Sequence, residues 1–165
     1  MRLWHYKLIP FLPDSQLKAQ WRELNSIFKK QNRHILINYV YTYPQEDLLA
    51  YTYAIIFEML ERNIKINSKE NARQYFGYDV IQKYINKYVY LKEECGFNHP
   101  IITVNYLRPF FKHHNNRYLL QCFYNLQEKY DRGQTDFSKE KYDALLAFMC
   151  EHFKNSNVMD VFEGV

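Results

Sequence analysis

The feature that most constrains the fold is an amphipathic helix near the start of the chain. Its apolar residues recur at spacings of four, three and four, namely Leu17, Trp21, Leu24 and Phe28. Asp14 or Ser15 can cap this helix, because short polar side chains accept hydrogen bonds from the first backbone N–H groups. Arg22 and Glu23 lie outside the apolar face, one towards each side. The helix can therefore bury one face while presenting a guanidinium and a carboxylate.

Five further helices are predicted from capping residues, glycine stops and apolar periodicity. They are expected from Pro44 to about Arg62, Ser68 to about Tyr75, Asp79 to Cys95, Asn115 or Asn116 to Gly133, and Ser138 to Phe153. By contrast, Ile35–Tyr43 is rich in β-branched and aromatic residues, which predicts a strand or an extended segment. Residues 101–104 are expected to be extended, and fraying is expected in residues 155–165.

Length and composition favour one all-α, compact domain over residues 1–165. The chain is 47% hydrophobic and contains only 4 Gly and 5 Pro, so a substantial core and few long loops are expected. The formal net charge of +4 is mildly basic and is compatible with a polyanionic partner.

The cysteines and histidines give no sign of a metal site. Cys95, Cys122 and Cys150 lack zinc-type spacing, and we expect reduced, mostly buried thiols. His99 and the adjacent pair 113–114 lack carboxylates at ligand spacing. No secretory signal and no apolar run of roughly 20 residues is present, so a cytoplasmic protein is expected, associated with the nucleoid when bound to DNA.

A chain start beside Glu23 would have a specific chemistry. An α-amine has a pKa of about 7.7–8.0, against about 10.4 for lysine, so part of it is unprotonated at neutral pH. Such an amine can attack an electrophilic carbon and form an imine, while a nearby carboxylate stabilises the cation and moves protons. Arg22 could bind a phosphate. On the residues alone, however, a solvated Arg–Glu pair is the favoured interpretation.

A longer sequence pattern that includes Arg22 and Glu23 favours a functional role for these two residues over a solvated pair. It reads Leu8-x3-Leu12-x4-Leu17-x-Ala19-x2-Arg22-Glu23-Leu24-x3-Phe28. It resembles the start of the phage endonuclease V family, which are pyrimidine-dimer DNA glycosylases with abasic-site lyase activity. Weaker resemblance follows in Ile55-x2-Glu58-x-Leu60-x-Arg62 and in Leu126-x-Glu128-Lys129. Position 26 departs from the family, since Ser26 stands where the family has an arginine, and the family's aromatic, lysine-rich C-terminal segment has no clear counterpart.

The resemblance implies a compact all-helical fold with the N-terminus packed against the first helix. It implies that an α-amine attacks C1′ of the damaged nucleotide, that Glu23 is essential, and that Arg22 takes part. Because the bulky Arg2 follows Met1, the methionine is expected to stay and to supply the amine. Double-stranded damaged DNA is the implied partner of a monomer that needs no metal or organic cofactor. The expected DNA contacts are Arg2, His5, Lys7, Lys29, Lys30, Arg33 and Lys129.

Two alternatives stay open at this point. One is a binding module that keeps the fold and the phosphate contacts without the chemistry, with affinity that falls steeply with salt. The other is a helical protein-interaction domain, in which exposed aromatic residues would serve as anchors.

Overall fold

The computed structural model of this chain describes residues 2–30, 33–77 and 108–154. Within these ranges the chain is helical and contains no strand, which confirms the all-α prediction. The α-helices are α1 (Asp14–Lys30), α2 (Gln45–Glu61), α3 (Lys69–Phe76), α4 (Asn116–Asp131) and α5 (Lys139–Phe153). Two short 3₁₀ helices cover Tyr6–Phe11 and Asn38–Thr42.

Side-chain caps fix the starts of the two C-terminal helices. The Asn115 side chain accepts a hydrogen bond from the Tyr118 N–H and so begins α4. The Ser138 side chain accepts a hydrogen bond from the Lys141 N–H and so begins α5. Ser68 precedes α3 as predicted, yet it makes no capping bond and has a left-handed φ of 58°. Gly77 ends α3 with a φ of 102°, a conformation that glycine adopts without steric cost.

The apolar face of α1 is buried as its periodicity predicts. Leu17 and Leu24 are fully buried, and Trp21 and Phe28 nearly so. This face packs against α2 and α3. One polar residue, Gln20, shares the buried face at 1% exposure. A buried amide needs partners, and those partners prove to be the first residues of the chain.

The first 3₁₀ helix is packed against α2, α4 and α5, so residues close to the chain start contact helices from both halves of the sequence. Arg62, at the end of α2, holds the end of this 3₁₀ helix. Its guanidinium donates to the carbonyl oxygens of Pro10 at 2.8 Å and Leu12 at 2.6 Å. It also forms ion pairs with Asp14 at 2.8 Å and Glu58 at 2.6 Å. The Glu58–Arg62 pattern therefore fixes the approach of the chain to α1.

The strand predicted for Ile35–Tyr43 is wrong. Residues 35–37 form a turn, and the second 3₁₀ helix follows. The aromatic residues of this segment make side-chain contacts instead of forming a sheet. The Tyr39 hydroxyl is 2.8 Å from Nε2 of His114, and the Tyr43 hydroxyl accepts from the His113 N–H at 3.0 Å.

Several predictions concern positions outside the described residues. These are the helix from Asp79 to Cys95, the extended residues 101–104, His99, Met1 and the tail from Asn155. Of the two cysteines that the structure describes, Cys122 is buried and Cys150 is exposed, so one of the two follows the expectation of mostly buried thiols. None of the described helices combines the length and the apolar character needed to cross a bilayer.

Candidate active site at the start of the chain

The start of the chain is bound to α1 by a buried amide. Nε2 of Gln20 donates to the Arg2 carbonyl oxygen at 3.0 Å, and its Oε1 accepts from the Trp4 N–H at 2.8 Å. From α2, the fully buried Tyr51 hydroxyl donates to the Trp4 carbonyl oxygen at 2.8 Å and lies 2.9 Å from Oε1 of Gln20. These bonds hold Arg2 about one helical turn from Glu23.

Glu23 faces a small cavity of about 180 Å³, here called the Glu23 cavity. Its lining consists of Arg2, Trp4, Gln16, Ala19, Gln20 and Glu23. The Oε2 atom of Glu23 is buried and has no hydrogen-bond partner within the described part of the chain. Burial raises the pKa of this carboxyl, while nearby positive charges, those of His34 and Arg22 among them, act in the opposite direction.

Arg2 also lines a second cavity. This second cavity, here called the Arg2 groove, has a volume of about 360 Å³. Beside Arg2, its lining includes Ile35, Leu36, Lys112, Arg117 and Gln121. Nη1 of Arg2 is buried and lacks a hydrogen-bond partner among the described residues. Arg2 and Glu23 thus line one cavity, and each has one buried polar atom without a hydrogen-bond partner among the described residues.

Arg22 lies on the other flank of α1, as its position outside the apolar face predicts. The exposed Arg22 lines a larger cavity of about 650 Å³ with Lys18, Trp21, Asn25 and Lys65, here called the Arg22 cavity. Within the described part of the chain, Arg22 and Glu23 therefore line different cavities. Arg22 can bind a phosphate near the helix, while Glu23 faces the chain start.

The other predicted DNA contacts are spread over the surface. Lys29 and Lys30 are exposed in the last turn of α1, about 10 Å beyond Glu23. Arg33 is exposed, with its guanidinium over the Tyr41 ring. Lys7 is half-buried in the first 3₁₀ helix, and burial together with the Arg108 charge lowers its pKa.

Lys129 lies apart from the chain start. It lines a separate cavity with Asn125 and Gln134. It is about three turns beyond Tyr118 on α4, on the order of 16 Å along the helix. Tyr118 itself marks the end of α4 that reaches the chain start, because its hydroxyl donates to the Leu3 carbonyl oxygen at 2.5 Å.

The prediction that His5 contacts DNA is wrong, because both of its ring nitrogens are bonded within the protein. His5 is 2% exposed; its Nδ1 accepts from the Lys7 N–H and its Nε2 is 2.8 Å from the His114 carbonyl oxygen. In His114, Nδ1 accepts from the Tyr6 N–H, so Nε2 carries the proton and donates to Tyr39. Both rings are therefore built into the structure in the neutral form.

The burial of this histidine pair predicts that the folded state loses stability in acid. Burial lowers the pKa of His5 from 6.5 to about 4 and lowers the pKa of His114 well below 6.5. As the pH falls from 6.5 to 4, the unfolded chain binds protons that the folded chain does not, so the folded state loses stability. For His5 alone the loss is about 3 kcal/mol over the window. Urea unfolding between pH 7.0 and 4.5 measures it.

The matched control for this prediction is the exposed His34. His5→Gln should flatten the pH dependence of the unfolding free energy, whereas His34→Gln should change it far less. Equal pH dependence in wild-type protein and the His5 variant would contradict the prediction.

Sequence reasoning missed Gln20, Tyr51 and Tyr118, which position the chain start. One signal for Gln20 was available. It follows Leu17 by three positions and precedes Leu24 by four, so it falls on the buried face, where a polar residue requires partners. No comparable signal marks Tyr51 or Tyr118, because tyrosine is common in helix cores and the partners are backbone carbonyl groups distant in sequence.

No group of three or more histidine, cysteine, aspartate or glutamate residues in the described ranges is placed to hold a metal ion. His114, which sequence reasoning considered as a ligand, uses both ring nitrogens in the network around Tyr39.

Comparison with known proteins bears on the first part of the chain. No curated protein and no solved structure matches the sequence. A family model described as pyrimidine dimer DNA glycosylase matches residues 1–71, a span that includes the Glu23 cavity, α1 and α2. Over residues 1–71 this chain is therefore similar to the pyrimidine dimer DNA glycosylases, which confirms the resemblance drawn from its opening residues.

Proposed function

We propose that this protein is a pyrimidine-dimer DNA glycosylase with abasic-site lyase activity, in which the α-amine of Met1 is the nucleophile. The observation that carries the proposal is the Glu23 cavity. There, Gln20 holds Arg2 on α1 beside a carboxylate with an unpartnered buried oxygen. Met1 is covalently bonded to Arg2, which lines this cavity.

The proposed reaction begins with the unprotonated amine. It attacks C1′ of the damaged nucleotide, and the bond from C1′ to the base nitrogen breaks, so the base leaves with the electron pair and takes a proton. The new C1′–nitrogen bond becomes an imine as the sugar ring opens. Loss of the C2′ proton then expels the 3′ phosphate, and hydrolysis of the imine returns the free amine. No oxidant or reductant is consumed.

Glu23 is proposed to stabilise the cation on C1′ and to move protons in these steps. Burial raises the pKa of its carboxyl, which brings proton exchange closer to neutral pH than for an exposed glutamate. The attacking amine must be deprotonated while Glu23 is ionised. The acid limb of the pH–rate profile should therefore lie above the range of an ordinary glutamate.

We further propose that the protein is a single-domain monomer and that its partner is damaged double-stranded DNA, with phosphates bound on both flanks of α1. On one flank, Arg22 and Lys18 line the Arg22 cavity with no carboxylate among its described lining residues. Lys29 and Lys30 extend the positive charge along the same helix. The remaining proposed phosphate contacts are Arg2, Lys7, Arg33 and Lys129. The proposed reaction uses no metal or organic cofactor.

Borohydride trapping tests the activity. Reduction of the imine would join the protein covalently to the DNA, so the wild-type chain should give a slower-migrating adduct with a duplex that carries one pyrimidine dimer or one abasic site. An undamaged duplex of the same sequence is the control. Absence of an adduct with both damaged duplexes would overturn the proposal, whereas an abasic-site adduct alone would restrict it to the lyase step.

A non-catalytic DNA-binding module is the second candidate. The observation that favours it is the separation of Arg22 and Glu23 into different cavities. This candidate predicts salt-dependent binding to DNA without an adduct. A protein-interaction domain is less favoured, because two of the four exposed large apolar residues in the described ranges line the cationic Arg2 groove.

A further inference from the structure

We propose that Gln20 is a positioning residue for the reaction, which sets where the terminal amine stands relative to Glu23; this inference rests on the proposed function. Gln20 acts through the backbone of residues 2–4, which its side-chain amide holds on α1. Substitution of Gln20 should therefore slow the chemical step and leave the affinity for DNA nearly intact.

Both ends of the Gln20 amide are used within the protein. Its Nε2 donates to the Arg2 carbonyl oxygen at 3.0 Å, and its Oε1 accepts from the Trp4 N–H at 2.8 Å. The Tyr51 hydroxyl lies 2.9 Å from the same Oε1 atom. Gln20 is only 1% exposed, so a rotation of the amide would break two buried hydrogen bonds at once. Such a group suits positioning and not proton transfer.

Three consecutive carbonyl groups near the chain start each accept a hydrogen bond from a side chain of a different helix. The donors are Gln20 of α1 for residue 2, Tyr118 of α4 for residue 3 and Tyr51 of α2 for residue 4. The bond from Gln20 is the one nearest to the terminal amine along the chain. Between them, only the backbone dihedral angles of residues 1 and 2 rotate freely. Loss of this bond would thus free the amine most directly.

One helix carries both the carboxylate and the group that holds the nucleophile. Glu23 follows Gln20 by three positions on α1, so the two side chains lie on the same flank. Bond formation requires the reacting atoms at about 3–3.5 Å, and a misplacement of about 1 Å can cost about 10²-fold in rate. Because α1 keeps Glu23 in place when the chain start moves, Gln20 sets the distance between the amine and the carboxylate.

Single-turnover kinetics with the full-length chain test the inference, using excess enzyme and a duplex with one abasic site. Gln20→Met preserves the size of the side chain but removes both hydrogen bonds. The rate constant for formation of the borohydride-trapped adduct should fall by about 10²-fold. The dissociation constant for a duplex with a tetrahydrofuran abasic analogue should change little. If Gln20→Met does not fold, Tyr51→Phe removes one hydroxyl from the same network and should slow adduct formation several-fold.

Leu126→Ala is the matched control for lost stability. Leu126 is fully buried and follows Tyr118 by eight positions, about 12 Å along α4. This variant should unfold at a lower urea concentration than the wild type. It should nevertheless react at the wild-type rate, at a temperature where circular dichroism shows both variants to be folded.

A double-mutant cycle separates positioning from a purely structural role. If Gln20 acts by placing the amine beside Glu23, the effects of Gln20→Met and Glu23→Gln on the rate constant should not be additive, because the two residues act as one unit. In the Glu23→Gln chain, Gln20→Met should therefore cost about 10-fold or less. A full further loss of about 10²-fold would overturn the inference.

The remaining results separate this inference from the proposed function. If the wild-type chain forms the adduct and Gln20→Met reacts as fast as Leu126→Ala, the inference is overturned while the proposed function stands. A loss of duplex affinity large enough to account for the slower reaction would also overturn the inference. If the wild-type chain forms no adduct with either damaged duplex, the proposed function fails and the inference fails with it.

Discussion

Glu23→Gln should reduce adduct formation and strand cleavage at a pyrimidine dimer by about 10²–10⁴-fold, the range typical of a lost proton-transferring group. Glutamine keeps the shape of the side chain and its place in the Glu23 cavity but removes the negative charge. The affinity for undamaged duplex should change little, because Glu23 contacts no phosphate in the proposed complex. Single-turnover cleavage with excess enzyme measures the effect without interference from product release.

Stability gives this substitution a second readout. Burial raises the pKa of Glu23, so ionisation is less favourable in the folded chain than in the unfolded one at neutral pH. Glu23→Gln should therefore unfold at the same or a higher urea concentration than the wild type. Glu140→Gln, an exposed residue at the start of α5, should change neither activity nor stability appreciably. Loss of folding in the Glu23 variant would contradict a functional role for its charge.

Arg62→Met should destabilise the fold by about 3 kcal/mol, the lower end of the range for breaking a largely buried ion pair. The side chains of Arg62 and Glu58 are only 14% and 15% exposed. Removal of the guanidinium leaves the Glu58 carboxylate and the carbonyl oxygens of Pro10 and Leu12 without their partner. The midpoint of urea unfolding measures the loss.

The chain contains a matched control for Arg62. Arg132 pairs with Glu128 at the same i, i+4 spacing, but both side chains are more than half exposed. An exposed pair contributes at most about 1 kcal/mol, so Arg132→Met should have a small effect. Similar losses of unfolding free energy in the two variants would contradict the claim that burial makes the Arg62 ion pairs more stabilising than the exposed pair. Arg62→Met should also weaken activity at temperatures where the protein is still folded, because Pro10 and Leu12 lead into α1.

The helices were largely predictable because their start and stop signals are local. Asn115 and Ser138 cap α4 and α5 through their own side chains, and a regular apolar face marks α1. Such signals act over one or two turns and can be recognised from a single sequence. Ser68 shows the limit of this reasoning, since it occupies the predicted position before α3 without making the capping bond.

The second 3₁₀ helix was not predictable from local composition. The β-branched and aromatic residues of Ile35–Tyr43 favour a strand, but no neighbouring strand pairs with them in the described ranges. Tyr39 and Tyr43 instead bond to His114 and to the backbone of His113, more than 60 positions later in the chain. Tertiary contacts of this kind override strand propensity, which depends strongly on context.

The candidate site was predictable only in part. The opening pattern singled out Glu23 and Arg22, and their opposite flanks of α1 followed from helical periodicity. The sequence did not reveal that Arg2 lines two cavities, because that depends on how residues 2–4 are held by Gln20 and Tyr51. Burial of His5 was equally hidden, since its partners include the carbonyl group of residue 114.

Mapping the trapped adduct tests the central claim most directly. The borohydride-reduced complex is digested with nuclease and protease, and tandem mass spectrometry locates the residual sugar on the peptides. We expect the sugar on the α-amine of Met1, in a chain whose intact mass retains the methionine. An adduct on the side chain of Lys7 or Lys18, or no adduct on any peptide, would contradict the account.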